Sequence, residues 1–407
     1  MYIIGAGLSG LSGAINALKK KMNVEIYESA KFSGGRCRSF FDKKVNIEID
    51  NGNHLVFSAN ENFMDFCKTI GTTNTLKEIP ADFNFYDFKS NQKWNLDLSS
   101  NYLNLLLNKQ KLIPHTKITD YFSLFKFFFV NDNVKVKELV GESKIFKTFW
   151  EPLTVGVMNT SPDKASAKVL SNVLKKTIFK GANYCKIFQP KSNWNKTLIE
   201  PSIRKIQSNG GQIFHGNLLK KIIISENYVS ELVFINKKIK IKRNHRVLLC
   251  IPPTNLSKLV DNLNLPEEYN TILNLHFKIK PEYIPFFTKS IVGFINSITQ
   301  WIFVKKDHLS VTVSDANYFN NIEPRVLVDK VWKEICNYLD KEISFESFQI
   351  VKEKKATYVQ SPENINLVKN HSNLPHNLLI AGDWTQYNLP CTIEASILSG
   401  KKAIDLI

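Results

Sequence analysis

Arginine is scarce in this chain, although the chain is strongly basic. Only six of its 54 basic residues are arginine, and the formal net charge is +17. Nucleic-acid sites usually depend on arginine, because its guanidinium makes paired hydrogen bonds to bases and phosphates. The lysine excess therefore argues against a nucleic-acid partner. Two interpretations stay open, a compositional bias without function and attraction to an anionic membrane surface.

Patterns for disulfides, metal sites and membrane spans are also lacking. The six cysteines are scattered without a C-x-x-C pair, and the eight histidines show no metal-ligand spacing. No run reaches the ~18 apolar residues that a spanning helix needs. No basic leader precedes the first apolar segment at Tyr2. These absences predict no metal and a cytoplasmic protein, either soluble or peripheral on the inner face of the cell membrane.

The length and the apolar content indicate a large folded protein. The chain has 407 residues, of which 43% are hydrophobic and 28 are phenylalanine. One hydrophobic core rarely serves a chain of this length, so two or three lobes are expected. The many phenylalanines point to an apolar pocket.

The N-terminal residues carry a pattern that is typical of dinucleotide binding. Residues 2–28 predict a strand, a glycine-rich loop, a helix and a second strand. Gly5, Gly7 and Gly10 fit the G-x-G-x-x-G fingerprint in that loop. Gly5 permits the tight turn, Gly7 lets the backbone approach a pyrophosphate, and Gly10 lets the helix pack on the sheet. The surrounding strand and helix make the match specific.

Other residues of this unit suit the remaining parts of a dinucleotide. The amides near Leu8 and Ser9 lie at the helix N-terminus, where N–H groups and the helix dipole favour phosphate. Glu28 ends the second strand, where its carboxylate can accept hydrogen bonds from the adenosine ribose. NAD and FAD share this arrangement, so these residues leave the cofactor open.

A second glycine turn favours FAD over NAD. Gly34, Gly35 and Arg36 follow shortly after the predicted ribose acid. In this register the turn can bring backbone and a guanidinium onto the pyrophosphate. Arginine suits that position because it presents several donors and stays charged. FAD is therefore the predicted cofactor.

Periodicity along the rest of the chain predicts a mixture of strands and helices. The expected elements are a hairpin at 83–97, mostly helix at 100–180, several antiparallel strands at 212–250, a buried strand at 247–251, strands at 270–315, a helix at 325–340, a strand at 378–381 and a helix at 392–406. Because nucleotide-binding features lie at both ends, the two lobes must be interleaved.

The C-terminal segment adds a family resemblance to these motifs. Residues 379–384, together with the two glycine turns, resemble the flavin amine oxidase superfamily, which includes phytoene desaturases and protoporphyrinogen oxidases. The resemblance implies that Gly382 and Asp383 bind the ribityl and pyrophosphate part of FAD. It also implies that Thr392 and Ile393 open the last helix beneath the flavin pyrimidine ring, where a helix N-terminus stabilises negative charge. Leu219 ends a segment that resembles the stretch laid across the adenine.

Further segments narrow the resemblance to the hydroxysqualene dehydroxylase family. They occur in the expected order at 50–55, 150–153, 159–166, 353–362 and 381–394. That family commonly has Gln where this chain has Asn53, and Ala or Gly where it has Cys391. The resemblance implies reduction of hydroxysqualene to squalene with loss of water, for hopanoid or other triterpene synthesis. A hydrophobic isoprenoid substrate follows from it, whereas the electron donor stays open.

Two other functions use the same architecture. One is a carotene desaturase or isomerase, which would use oxidised flavin in the same pocket. The other is a non-catalytic prenyl-protein escort. The intact Gly34-Gly35-Arg36 and Gly382-Asp383 motifs argue against the escort. Plant-type carotene desaturases also carry a Gly-x-His after the second glycine turn, so His54 alone does not separate them from the dehydroxylases.

His54 is the candidate catalytic residue. It lies in the segment that is expected to run towards the flavin, where its imidazole would donate a proton or orient a hydroxyl. A structural histidine satisfied by backbone is the alternative. Asp50 and Glu151 are second choices, and their alternatives are a strand-end acid and a salt-bridged helix neighbour.

Two lysine- or phenylalanine-rich stretches have no place in these motifs. Residues 121–130 are too few to span a bilayer and predict a helix. Three interpretations of that helix stay open. It packs in the core, it lines a tunnel for a lipid, or it enters a membrane interface with Phe127 and Phe128 against lipid. Residues 237–243 alternate like an exposed strand at a sheet edge, where lysine blocks further pairing.

The predicted fold is α/β. A Rossmann-like FAD-binding domain is interleaved with an α+β substrate-binding domain, as in the amine oxidase and phytoene desaturase type. The FAD-binding domain is expected to comprise residues 1–60, 190–260 and 350–407. The substrate-binding domain is expected to comprise residues 61–189 and 261–349.

Overall fold

The computed structural model describes residues 1–99, 112–369 and 374–407. The strands of these residues lie in five sheets. In chain order they are β1 (Tyr2–Ile4), β2 (Glu25–Tyr27), β3 (Ser39–Asp42), β4 (Ile47–Asp50), β5 (Val56–Phe57), β6 (Leu76–Ile79), β7 (Asp82–Asp87), β8 (Gln92–Asp97), β9 (Ile187–Pro190), β10 (Gln212–Phe214), β11 (Leu219–Ser225), β12 (Tyr228–Phe234), β13 (Lys238–Lys240), β14 (Val247–Leu249), β15 (Tyr269–Ile279), β16 (Ile291–Ile295), β17 (Trp301–Val304), β18 (His308–Val313), β19 (Phe345–Tyr358) and β20 (Leu378–Ile380).

Helices connect and cover these strands. The α-helices are α1 (Leu8–Lys19), α2 (Glu61–Ile70), α3 (Val136–Val140), α4 (Glu151–Met158), α5 (Ala167–Lys176), α6 (Glu200–Ser208), α7 (Pro253–Leu256), α8 (Pro324–Leu339), α9 (Pro362–Lys369) and α10 (Ile393–Asp405). The longer 3-10 helices are Ile118–Phe129, Pro281–Phe286 and Asn317–Asn321, and π-helical turns at Phe146–Trp150 and Asn195–Ile199 run into α4 and α6. Within the described ranges, no helix combines the length and the apolar content needed to cross a membrane.

Five parallel strands form the sheet that carries both ends of the chain. Their order is β10-β2-β1-β14-β20. In the centre, Ile3 of β1 lies beside Ile26 of β2 and Leu248 of β14. All three side chains are fully buried, as expected for a parallel sheet covered on both faces. Carboxyl ends of parallel strands meet at one edge, so the loops after β1, β2 and β20 come together there.

Glycines let α1 pack backbone to backbone against its neighbours. A Cβ atom at Gly10 would lie 2.0 Å from the carbonyl oxygen of Gly5. A Cβ atom at Gly400 of α10 would lie 2.1 Å from the carbonyl oxygen of Ser9. The Ser12 hydroxyl also donates to the carbonyl of Ile397 across the two helices, at 2.7 Å. The C-terminal helix is thereby held directly on the N-terminal unit.

The second large sheet has one apolar and one polar face. Its order is β19-β15-β18-β17-β16-β7-β8, and the pairing is antiparallel except between β16 and β7. Along β15, Leu273, Leu275 and Phe277 are fully buried in a core shared with α8. Alternate residues of a strand point to opposite faces, so Asn274 and His276 project from the other side. That polar face is turned towards the segment that follows β4.

Most of the predicted elements are confirmed. The N-terminal strand–helix–strand unit, the hairpin at 83–97, the helix at 325–340 and the final strand and helix are all present. From residue 118 to 180 the chain is mostly helical, whereas residues 100–111 of that prediction lie outside the described residues. The lysine-rich segment supplies β13, which is an edge strand as predicted.

The prediction of antiparallel strands across 212–250 is only partly right. β11, β12 and β13 are antiparallel, but β10 and β14 pair in parallel with β2 and β1. Alternation along the chain cannot reveal this difference, because the partners of these strands lie at the N-terminus. The β3–β4 hairpin, α2 and β19 were not predicted.

One observation bears on the predicted domain boundaries, which stay a prediction. β19 pairs with β15 along nearly all of its length. The predicted boundary at residue 350 therefore falls inside a strand of the second large sheet. We propose that the last segment of the cofactor domain begins after Tyr358.

The contact between α1 and α10 gives a test of the close packing. Gly400→Ala should lower the free energy of unfolding by about 1–3 kcal/mol, because the new methyl group meets backbone atoms that cannot move aside. The higher helix propensity of alanine acts in the opposite direction by about 1 kcal/mol. Denaturant unfolding measures the change, and Lys401→Ala, at an exposed position of the same helix, is the control. Equal stability of the two variants would contradict the packing argument.

Candidate functional site

The glycine turn after β1 leaves an open space beside the first turn of α1. Gly5 adopts a φ of +103°, and a Cβ atom there would lie 2.4 Å from the carbonyl oxygen of Cys250. A Cβ atom at Gly7, in contrast, would meet no atom of the described residues within 4 Å. Gly7 is the N-cap of α1, and no side chain of the described residues caps the helix there. The positive end of the helix therefore faces free space, which suits an anion.

A second glycine turn lies directly against the first. Gly34 and Gly35 have φ values of +112° and +55°, and a Cβ atom at Gly35 would lie 3.5 Å from the Cα of Gly7. The amide of Gly34 donates to the carbonyl of Ala6 at 2.8 Å. Both turns adopt left-handed backbone that favours glycine. Together they form one cradle of backbone, as the sequence motifs predict.

An ion pair joins this cradle to the C-terminal strand. The Arg36 guanidinium donates to Asp383 Oδ1 at 2.6 Å and also to the carbonyl of Ala356. Asp383 follows β20, and only 6% of its side chain is exposed. Arg36, assigned to the cofactor by the register of the glycine turn, and Asp383, assigned to it by resemblance, thus meet from opposite ends of the chain.

Glu28 lies beside the cradle but braces the loop itself. Its Oε2 accepts a hydrogen bond from the amide of Ala6 at 2.7 Å, and its Oε1 accepts one from the amide of Ala30 at 2.8 Å. The segment before Leu219 passes close by, since the amide of Asn217 donates to the Glu28 carbonyl at 2.8 Å. Leu219 itself is buried at the start of β11. The ribose and adenine assignments stay predictions.

The side chains of Thr392 and Glu394 form hydrogen bonds at the start of α10. Thr392 is the N-cap, and its hydroxyl accepts from the amide of Ala395 at 3.3 Å. Ile393, the first helical residue, is buried. Glu394 is also buried, and its carboxylate accepts from the amide of Phe63 at 2.8 Å and from the Asn62 side chain at 2.7 Å. Glu394 therefore caps α2, a role that its acidic character alone does not reveal.

The segment after β4 is docked on the polar face of the second large sheet. The Asn53 side-chain amide donates to the hydroxyls of Ser310 at 2.7 Å and Thr312 at 2.9 Å. The Asn274 side chain donates to the carbonyl of Asn51 at 3.1 Å. These bonds hold the segment that carries His54 in one place on β15 and β18.

His54 has an imidazole nitrogen with unused hydrogen-bonding capacity. Its Nε2 is buried and has no hydrogen-bond partner among the described residues. Its ring lies edge-on to Trp194, with 6.2 Å between the centroids. Burial lowers the pKa of His54, and the nearby Asp50 opposes that effect only in part. The imidazole is therefore neutral in the resting protein and can donate or accept a single hydrogen bond at Nε2.

Two further polar atoms without partners belong to the same region. Asn53 Oδ1 and His276 Nε2 are buried and lack a hydrogen-bond partner within the described part of the chain. His276 Nδ1 is 3.0 Å from the Ser310 hydroxyl. Buried polar groups are normally satisfied, so a cluster of three such atoms indicates a place for water or a polar ligand group.

Two bases, the buried His276 and the half-buried Lys305, complete this polar cluster. Burial, with smaller contributions from His308 and Lys305, lowers the pKa of His276 to about 3. Burial also lowers the pKa of Lys305, against the opposing effect of Asp50. Neither residue was predicted. The alternation of Asn274 and His276 with apolar residues was the available signal, because it places both on one face of a strand.

The second-choice acids have structural roles. Asp50 ends β4, and its Oδ1 accepts from the Ser39 hydroxyl at 2.6 Å. Glu151 pairs with Lys147 one turn earlier, with 2.9 Å between Nζ and Oε1. Both positions match the structural alternatives considered for them. No group of His, Cys, Asp and Glu in the described ranges is arranged to hold a metal ion.

Comparison with known proteins defines the class. The NAD(P)-binding Rossmann-like domain family matches residues 3–70. Putrescine oxidase bound to putrescine has a similar structure, with a TM-score of 0.74, 12% identity, and coverage of 100% of this chain and 98% of that one. A putative protoporphyrinogen oxidase from Exiguobacterium sp. 255-15 has a TM-score of 0.70 at 14% identity, with coverage of 100% and 97%. The chain therefore has the fold of these oxidases.

Curated relatives then define the family. The hydroxysqualene dehydroxylase of Sinorhizobium fredii is 32% identical over 413 residues, which cover 100% of this chain and 97% of that protein. The enzyme of the same name from Zymomonas mobilis is 32% identical, with coverage of 100% and 98%. The chain belongs to the hydroxysqualene dehydroxylase family. Zeta-carotene desaturase of Zea mays is 40% identical, but over only 74 residues, or 18% of this chain and 13% of that protein.

The buried histidine of the polar cluster gives a test by pH. An unfolded histidine has a pKa of about 6.5, whereas folded His276 has a pKa of about 3. Its contribution to stability is therefore complete above the unfolded value and is lost as the pH falls towards the folded value. The stability of His276→Gln should fall less steeply with decreasing pH, by up to about 1.4 kcal/mol per unit.

Denaturant unfolding at a series of pH values across that window measures the slope. His376→Gln, at an exposed site, is the matched control and should keep the parent slope. A parent slope in His276→Gln as well would show that His276 titrates normally.

Proposed function

We propose that this protein binds FAD and reduces hydroxysqualene to squalene with loss of water, in the synthesis of hopanoids or other triterpenes. The observation that carries the proposal is the cradle of two glycine turns joined to Asp383 through Arg36, in a chain that aligns with hydroxysqualene dehydroxylases over its whole length. The partial match to a carotene desaturase supports the cofactor unit and leaves most of the chain unexplained.

The residues of the cradle fit FAD. The open side of Gly7 and the uncapped start of α1 suit a pyrophosphate, and Arg36 supplies positive charge beside it. The assignments made from the sequence then extend along the cofactor in order. Glu28 would hold the ribose, the segment ending at Leu219 the adenine, Asp383 the ribityl chain, and the amides at Thr392 and Ile393 the pyrimidine ring.

The proposed reaction breaks one C–O bond, forms one C–H bond and releases water. FAD, when bound in its reduced form, supplies the hydride, and an external donor of unassigned identity supplies the two electrons. The chain itself must bind an apolar substrate, keep bulk water away and assist the departure of the hydroxyl group. An allylic hydroxyl leaves poorly unless a proton or a hydrogen bond stabilises the leaving oxygen.

His54 is the proposed residue for that assistance. Its Nε2 is buried without a partner among the described residues, and the lowered pKa keeps the ring neutral. Because its imidazole is neutral, His54 is better suited to orient the hydroxyl group or a water molecule by a hydrogen bond than to act as a charged proton donor. Asn53 Oδ1 and His276 Nε2 are unpaired in the same cluster and could hold that water.

Cofactor retention is the first test. Gly7→Val should purify with much less flavin, because its side chain fills the side of the turn that is open in the protein. Glu28→Ala should weaken binding by about 1.5–3 kcal/mol, the usual loss for a charged hydrogen-bond partner. Flavin absorbance per protein measures retention. The cofactor-free thermal transition of Gly7→Val is the control, and an unchanged flavin content in both variants would contradict the cradle.

The direction of the reaction is tested with pre-reduced protein. Under anaerobic conditions it should turn over hydroxysqualene once, giving squalene and oxidised flavin, and His54→Ala should slow this step by roughly 10²–10⁴-fold. His54→Gln should recover part of the rate if hydrogen bonding is what matters. Oxidised protein that desaturates a carotene, with no reaction of reduced protein, would instead establish the desaturase. Flavin-free protein that binds prenyl chains would establish the escort function.

A further inference from the structure

The 3-10 helix Ile118–Phe129 carries an exposed row of phenylalanine rings. Such a helix has three residues per turn, so residues three apart lie on one edge. Tyr121, Leu124 and Phe127 form the inner edge and are 4%, 3% and 0% exposed. Phe122 and Phe125 lie on the outer edge and are 56% and 50% exposed. The winding of the helix therefore separates its aromatic residues into a core row and a surface row.

The surface row continues into a larger patch. Phe128 is 40% exposed and Phe129 is 89% exposed. The rings of Phe125 and Phe128 are stacked at 6.3 Å, and Phe128 stacks on Phe179 from the turn after α5 at 4.3 Å. The exposed rings amount to roughly 400–500 Å² of apolar surface, which reaches the size of the largest patch on a typical monomer. Patches of that size are often functional.

Lysines border this patch, which we name the phenylalanine patch (Phe122, Phe125, Phe128, Phe129 and Phe179). Lys126 lies within the helix, and Lys175 donates to the carbonyl of Phe128 at 3.3 Å. Lys176 and Lys180 are exposed on the adjoining turns. Among the described residues, these four lysines form no ion pair. Lys126 and Lys175 donate to backbone carbonyls, and Lys180 lies over the Tyr184 ring, so no carboxylate of the described residues neutralises the charge of these lysines.

We propose that the phenylalanine patch is a docking surface for an anionic lipid bilayer. Aromatic rings surrounded by lysine match the two layers of a membrane interface, in which rings enter the acyl boundary and ammonium groups meet phosphate. The docking surface rests on the proposed function, because an enzyme whose hydrocarbon substrate is dissolved in the bilayer must reach the bilayer. The surface itself is defined by exposure and charge alone.

The structure corrects the residues expected to contact lipid. The sequence predicts contact for both Phe127 and Phe128, but Phe127 is fully buried and stacks on Trp150 at 4.7 Å. Substitution of Phe127 would therefore damage the core and say nothing about the membrane. Phe125, Phe128 and Phe129 are the residues to replace.

Sedimentation with lipid vesicles tests the proposal without any measurement of catalysis. Full-length protein is mixed with vesicles of phosphatidylcholine alone or of phosphatidylcholine with phosphatidylglycerol, at low and high salt. The parent should bind the anionic vesicles more tightly, and salt should weaken but not abolish binding. A triple variant with Phe125→Ser, Phe128→Ser and Phe129→Ser should lose at least about tenfold in the salt-resistant binding.

Two further variants separate the contributions. Lys176→Gln with Lys180→Gln should reduce binding to anionic vesicles at low salt and leave the salt-resistant part unchanged. Phe32→Ser with Phe41→Ser is the matched control, because these exposed rings, at 73% and 57%, lie outside the patch. That control should sediment like the parent. Circular dichroism and thermal unfolding of each variant confirm that the fold is retained.

Failure of the docking surface is distinguishable from failure of the proposed function. A parent that ignores anionic vesicles, or a triple variant that binds like the parent, overturns the docking surface. The docking surface is also overturned if the triple variant no longer self-associates but still binds vesicles. The patch would then contact a second copy of the chain. The triple variant should still turn over hydroxysqualene that is dispersed in detergent. If the parent binds vesicles but does not turn over hydroxysqualene, the proposed function is wrong and the docking surface stands.

Discussion

Close packing of backbone against backbone, at the turn between β1 and α1, is the constraint on which the structure depends. A side chain at Gly5, Gly10 or Gly400 would place its Cβ atom between 2.0 and 2.4 Å from a carbonyl oxygen. These contacts seat α1 on the parallel sheet and α10 on α1. Together with the pairing of β1, β14 and β20, they bring the two ends of the chain together, and Arg36 can then reach Asp383.

The electrostatics of the site follow from that arrangement. α1 begins at a glycine without a capping side chain from the described residues, so its positive end is open to a ligand. The C-terminal helix is treated differently, because Thr392 caps it and Glu394 bonds across to the start of α2. The start of α1 thus lacks a side-chain cap among the described residues, while the start of α10 has one in Thr392.

The second large sheet separates two environments. Its apolar face packs on α8, whereas its polar face receives the segment that carries His54. Asn274, Ser310 and Thr312 fix that segment through their hydrogen bonds, yet Asn53 Oδ1, His54 Nε2 and His276 Nε2 have no hydrogen-bond partner among the described residues. Such groups cost free energy unless something satisfies them. The protein therefore carries a small polar site beside the cradle of glycine turns.

The sequence by itself determined the cradle, because glycine turns, N-caps and strand-ending acids depend on local backbone geometry that a few residues specify. Gly5, Gly7, Gly34, Gly35 and Asp383 could be assigned from their spacing and from a family resemblance. Pairing between distant strands decided the rest. β10 and β14 are parallel, and Asn274 and His276 lie on the sheet face that receives the segment carrying His54, because their partners lie far away in the chain. Likewise, only the packed 3-10 winding decided that Phe127 is core and Phe128 is surface, since three residues per turn and the more common 3.6 group these rings differently.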